Sequence, residues 1–176
     1  MTTPHDSSFS DAIRDRVQKW LIEEGWRVEP REVSGAQWHF AAVDSGRRLL
    51  NIRQRTGKFD QVSILGGVRL SEDEQSRFDA LPQERQQAFV WEVRFDLLRM
   101  NLDFANIDLP LGAMRVTQDA YFDGGLSKDA FFNKLEDVRR GIVLIQFHVW
   151  RLLGLPRRTT TSTEPEPPET RPDTPI

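Results

Sequence analysis

The sequence predicts an α+β fold, one antiparallel five-stranded sheet packed by helices, in the order α-β-β-β-α-β-β-α. Three observations predict it. Apolar residues recur at helical spacing near residues 10–24, 82–101 and 127–153. Between these stretches lie short runs in which apolar and polar residues alternate. The runs are joined by tight turn signals, Asp44-Ser45-Gly46, Thr56-Gly57, and Pro110 with Gly112. Turns that short connect antiparallel neighbours, and strands grouped between helices make an α+β sheet.

The first helix is expected from about Ser10 to Glu24. Ile13, Val17, Trp20 and Leu21 fall on one stripe, Ser10 is its candidate N-cap, and Gly25 can take the left-handed conformation that ends it. A three-stranded meander follows. Gln37 to Val43 places Trp38, Phe40 and Ala42 on one face and Gln37, His39 and Ala41 on the other. Arg48 to Arg55 points Leu50 and Ile52 inward, with Asn51, Arg53 and Arg55 outward. Phe59 to Leu65 points Val62 and Ile64 inward.

Ser71-Glu72-Asp73-Glu74 then fits a capping box, in which the serine oxygen and Glu74 each satisfy a backbone N–H at the helix start. Pro82 opens a longer helical stretch reaching about Asn101. That stretch carries two adjoining apolar stripes. One is Val90, Val93, Leu97 and Met100; the other is Trp91, Phe95, Leu98 and Leu102. Two more strands are expected, about Phe104 to Leu109 and Ala113 to Phe122. Ser127 caps the last helix, Phe131, Leu135, Val138, Ile142, Ile145, Val149 and Leu152 mark its inner face, and Gly154 and Pro156 end it.

With 176 residues the chain fits one domain, expected over residues 9–156. Residues 1–8 are polar, and residues 157–176 are rich in Thr, Pro and Glu. Neither segment offers enough apolar surface to offset the entropy of ordering, so both are expected to be disordered. No apolar run marks a signal peptide, which makes the cytoplasm the expected compartment. The most apolar window, Ile142 to Trp150, is short of the roughly 20 residues a spanning helix needs, so no membrane role is expected. The chain has no cysteine, hence no disulfide framework and no thiolate chemistry. Its net charge of −3 argues against general attraction to nucleic acid.

The segment Met114-Arg-Val-Thr-Gln-Asp-Ala-Tyr-Phe-Asp-Gly-Gly-Leu-Ser-Lys-Asp-Ala-Phe-Phe-Asn-Lys-Leu135, together with the element order, resembles the type III secretion chaperone-like fold. That fold includes secretion chaperones and the YbjN-type proteins described as sensory-transduction regulators. The segment looks like the family's last strand, its Asp-Gly-Leu-Ser turn and the start of its last helix, with Gly125 as an extra residue. The resemblance spans roughly Phe9 to Leu155. It implies a dimeric, non-enzymatic protein that binds peptide segments or other proteins. It supplies no catalytic residue to carry over.

The residues themselves give no catalytic, cofactor or metal site. No G-x-S-x-G, P-loop or G-x-G-x-x-G is present, and Gly66-Gly67 alone carries no phosphate-binding information. The histidines are His5, His39 and His148. His39 sits beside Trp38 and Phe40 on a strand and His148 in an apolar helix, so packing explains both more simply than chemistry. Asp103, Asn106 and Asp108 lack the glycine and distal glutamate of a calcium loop.

Two surface features carry the functional expectation. Trp91, Phe95, Leu98 and Leu102 are the candidate partner or dimer surface; the competing reading is a helix sandwiched on both sides. Arg47, Arg48, Arg53, Arg55 and Lys58 are the candidate basic patch for an acidic peptide or nucleic acid; the competing reading is protection of strand edges and turns. The preferred function is a dimeric, chaperone-like or regulatory adaptor that binds a partner segment. The alternatives are a nucleic-acid binder using the Arg47–Lys58 hairpin and, more remotely, a hydrolase.

Overall fold

The computed structural model describes residues 4–122 and 125–154. The expected disordered tail, residues 157–176, lies outside the described residues, as do residues 1–3. The elements are α1 (Pro4–Glu23), β1 (Arg27–Pro30), β2 (Ala36–Val43), β3 (Leu49–Arg55), β4 (Gln61–Val68), α2 (Glu72–Asp79), α3 (Gln83–Arg99), β5 (Asp103–Ala105), β6 (Met114–Tyr121) and α4 (Lys128–Leu153).

The architecture is α+β, with one antiparallel sheet of six strands rather than five, in the order β1-β2-β3-β4-β6-β5. The strand missed by the sequence pattern is β1, Arg27-Val28-Glu29-Pro30, paired with β2 from Arg27↔Val43 to Pro30↔Phe40. It is a short edge strand. With a neighbour on one side only it tolerates charge and proline, and it loses the alternation that marks an interior strand. The strand expected over 104–109 shrinks to β5, and the α between the strand groups is the two stretches expected from Ser71 and from Pro82, α2 and α3.

The N-terminal expectation is also corrected. The helix begins at Pro4, so residues 4–8 belong to α1, and Ser10 lies inside the helix rather than capping it. Ser10 is fully buried, and its hydroxyl donates to Gln54 Oε1. The other termini follow the sequence. Ser71 and Glu74 form the reciprocal capping box, Ser127 caps α4 by accepting from the Ala130 N–H, and Gly25 and Gly154 take positive φ.

One face of the sheet carries the helices. Leu50, Ile52, Val62, Ile64, Met114 and Val116 are all buried there. α1 covers β1 and β2, and α4 crosses β4 and β6. Trp20 of α1 meets Phe131 of α4 at 5.9 Å between ring centroids, joining the two halves of the core. α4 comes closest to the sheet where two glycines lie. Gly66 of β4 pairs with Val116 of β6. A Cβ on Gly66 would lie 2.3 Å from Ile142 Cδ1, and one on Gly141 would lie 3.0 Å from Val116 Cγ1. The helix seats there because neither backbone carries a side chain.

Asp44, at the end of β2, is buried and accepts from the Arg48 N–H at 2.8 Å, Arg48 Nε at 2.9 Å and an Arg139 nitrogen at 3.3 Å. It thus ties the first hairpin turn to α4. Asp44→Ala is expected to lower stability by about 1.5–3 kcal/mol, since it removes charge-assisted bonds and leaves Arg139 half-buried. A urea titration would show a lower midpoint at unchanged slope.

Candidate functional site

The long middle helix α3 resolves its two stripes into different environments. Val90, Val93 and Leu97 are buried against the core. Trp91, Phe95 and Leu98 point away from it and are 55%, 54% and 59% exposed. The Trp91 and Phe95 rings stack at 5.8 Å, and the Arg94 guanidinium lies 5.4 Å from the Trp91 ring. Arg94 is itself fixed, donating through Nε to the Ile107 carbonyl at 2.8 Å.

Leu102 does not belong to this surface: it is 2% exposed. The helix stops at Arg99, and Asn101 takes φ 56°. The Leu102 N–H then bonds the Leu97 carbonyl at 3.1 Å and the Asn101 N–H bonds the Leu98 carbonyl at 3.0 Å. This Schellman closure swings Leu102 back into the core, so continuing the helical period past the cap misplaced it.

α4 lies beside α3. His148 is buried, with Nε2 2.9 Å from Asp96 Oδ2 and Nδ1 3.2 Å from an Arg151 nitrogen, while Arg151 also pairs with Glu92. His148 therefore bridges the two helices. On its outer side α4 exposes Phe147, and a groove of about 290 Å³ runs between Met100 and Val143, Leu144 and Phe147, flanked by Arg139 and Arg140.

The basic hairpin is not one patch. Arg47 and Arg48 sit in the turn before β3, and Lys58 sits in the turn after it. Seven strand residues separate the two turns, a span of roughly 23 Å. Arg48 is engaged with Asp44. Arg53 and Arg55 alone point to the helix-free face of the sheet.

On that open face the strand register assembles a row the hairpin alone does not contain. His39, Arg53, Ser63 and Asp119 stand opposite one another across β2, β3, β4 and β6. Asp119 accepts from Ser63 Oγ at 2.6 Å and from Gln61 Nε2, so its two oxygens are held within the sheet. His39 Nε2 lies 2.9 Å from Asn51 Oδ1. Beside the row is a cleft of about 380 Å³, lined by Arg53, Arg69, Arg115, His39, Asn51 and Gly67 among others. The pKa of Arg53 is held below the usual guanidinium value, first by burial and then by the positive charges of Arg55 and Arg115, with Asp119 opposing. Its Nε is buried without a hydrogen-bond partner, as is His39 Nδ1. Arg69 and Arg115 were missed as candidates because they lie far along the chain from the hairpin; only the β4–β6 register brings them to it.

Of Asp103, Asn106 and Asp108, two have partners of their own. Asp108 pairs with Arg94, and the Asn106 side-chain amide donates to the Ala113 carbonyl at 3.4 Å. Among the described residues no cluster of three or more His, Cys, Asp or Glu could hold a metal ion, and no helix is long and apolar enough to cross a membrane.

The fold and site therefore define a helix-backed antiparallel sheet with one open, basic face and one exposed aromatic strip. The chain belongs to the family of uncharacterized conserved proteins designated DUF2299, whose model matches residues 13–149. It is similar to the crystal structure of an uncharacterized protein from Methanothermobacter thermautotrophicus, at 30% sequence identity and a TM-score of 0.74, over 80% of this chain and 99% of that one. No curated protein matches it.

Proposed function

We propose that the chain is a non-enzymatic, cytoplasmic protein-binding module that works as a homodimer closed by the outer strip of α3. The observation that carries this reading is the spacing of that strip. Ala88, Trp91, Phe95 and Leu98 recur at three, four and three residues, the seam of two packed helices, and all four are exposed. Large aromatic chains stacked on each other and left half in water fit an interface better than a solvent face.

Magnitudes limit what the strip does alone. Burying the remaining half of Trp91, Phe95 and Leu98 on two copies is worth roughly 6 kcal/mol, at about 1 kcal/mol per side chain. Association costs about 4–15 kcal/mol. A durable dimer therefore also draws on the adjacent apolar side of α4, Val143, Leu144 and Phe147. The open sheet face is left for a partner segment, in keeping with the sequence likeness to secretion chaperone-like proteins.

Sedimentation equilibrium tests the reading. The wild-type chain should show a concentration-dependent mass approaching two chains. Trp91→Asp with Phe95→Asp should give one chain at every concentration and keep its native circular dichroism, because neither side chain is in the core. A wild-type chain that stays monomeric throughout would sink the homodimer.

A further inference from the structure

We propose that the cleft on the open face of the sheet is a binding site for a phosphorylated small molecule, held by Arg53, Arg69 and Arg115. This site stands on different residues from the α3 strip and does not depend on dimerisation.

These three arginines lack counter-charges. Most arginines elsewhere in the described structure close ion pairs, including Arg14, Arg27, Arg48, Arg94, Arg139 and Arg151. Arg53, Arg69 and Arg115 close none within 4.0 Å among the described residues, although the chain as a whole is acidic. Guanidinium groups gathered without counter-charge repel one another, and a fold does not assemble them for stability. Arg53 is the sharpest case, because its Nε is buried with no acceptor. A buried donor left unpaired points to an acceptor that arrives from outside.

Charge then selects the ligand. Three guanidinium groups line the cleft and no carboxylate does, and a phosphate monoester carries about −1.5 to −2 at neutral pH. The planar arginine fork matches phosphate oxygens two at a time. A volume of about 380 Å³ suits a small molecule. Leu65 and Val68 in the lining are available to seat a non-ionic portion of the ligand. Gly67 in the lining is exposed, and a Cβ there would lie 2.8 Å from the Met114 carbonyl oxygen, so the close approach of β4 and β6 beside the cleft requires glycine. A nucleic-acid strand would ask for a continuous basic stripe, whereas Arg47 and Lys58 lie in the turns at the two ends of β3 and Arg48 is paired with Asp44, so that of the other hairpin cations only Arg55 shares this face.

Isothermal titration of the full chain tests the site with four probes: inorganic phosphate, adenosine monophosphate, adenosine and succinate. Saturable binding of phosphate and of the monophosphate, but not of adenosine or succinate, is the expected result. Arg53→Gln with Arg115→Gln should weaken monophosphate binding by about tenfold to a hundredfold or more. Arg85→Gln, on α3 and away from the cleft, should leave it unchanged. If the double variant loses its native circular dichroism, the exposed Arg115→Glu alone supplies the same comparison. Equal binding by the variants would reassign the phosphate to another surface and overturn the proposal. So would succinate binding as tightly as the monophosphate, which would make the cleft a carboxylate site. No saturable binding by either phosphate probe would overturn it as well.

Discussion

Gln54→Leu is expected to destabilise the fold by about 2–5 kcal/mol. Gln54 is the one polar side chain of β3 that points into the core, and it is 0% exposed. Its Oε1 accepts from the Ser10 hydroxyl of α1 and from Trp38 Nε1 of β2, the latter at 3.0 Å. Its Nε2 donates to the Phe59 carbonyl at 2.7 Å, holding the turn before β4. One amide thus joins a helix, a neighbouring strand and a turn. Leucine fills similar volume but leaves the Trp38 N–H and the Phe59 carbonyl unpaired, at about 1–3 kcal/mol each. Ser10 contributes less, because its hydroxyl can turn to a carbonyl one turn back in its own helix. Thermal or urea unfolding reads the loss. The double variant with Ser10→Ala should lose less stability than the two single losses summed, since they share one network. Additive losses would mean that the amide is not shared.

The second large effect is expected at Gly141. A Cβ there would lie 2.8 Å from Leu102 Cδ1, 3.0 Å from Val116 Cγ1 and 3.3 Å from Leu97 Cδ2. These three neighbours are buried and belong to the loop after α3, to β6 and to α3. For Gly141→Ala two terms compete. Alanine gains about 1 kcal/mol of helix propensity over glycine, and overpacking costs about 1–3 kcal/mol. The variant should therefore be neutral to about 2 kcal/mol less stable. Gly141→Leu has no such balance, because its extra carbons must displace α4 from both the sheet and α3. A loss of more than about 3 kcal/mol is expected. Stability equal to wild type for the leucine variant would show that α4 does not seat on the sheet at this point.

Gln54 and Gly141 also show how far the sequence could be read. Alternation places Gln54 on the same face as Leu50 and Ile52, yet a glutamine carries no apolar signal, so the pattern says nothing of its partners. Gly141 marks where α4 turns apolar on both sides, but the reason, a close crossing over Gly66 and Val116, depends on a strand pairing the local pattern does not contain. Leu102 was misplaced for a related reason: the period of α3 continues past Arg99 in the letters, while the left-handed Asn101 ends it in space. β1 was missed because an edge strand has one partner and no obligatory alternation.

Within this chain the sequence by itself determined what is settled over a few neighbouring residues: the amphipathic stripes of α1, α3 and α4, the Ser71–Glu74 and Ser127 caps, the Gly25 and Gly154 stops, and the inward faces of β2 to β4. These depend on sterics and hydrogen bonds along one segment. The tertiary structure alone decided which stripe of α3 faces water and that Arg53 meets Arg69 and Arg115. The second outcome depends on β6 returning beside β4 after two helices and an edge strand. That pairing is fixed by burial across the whole core, which no single segment encodes.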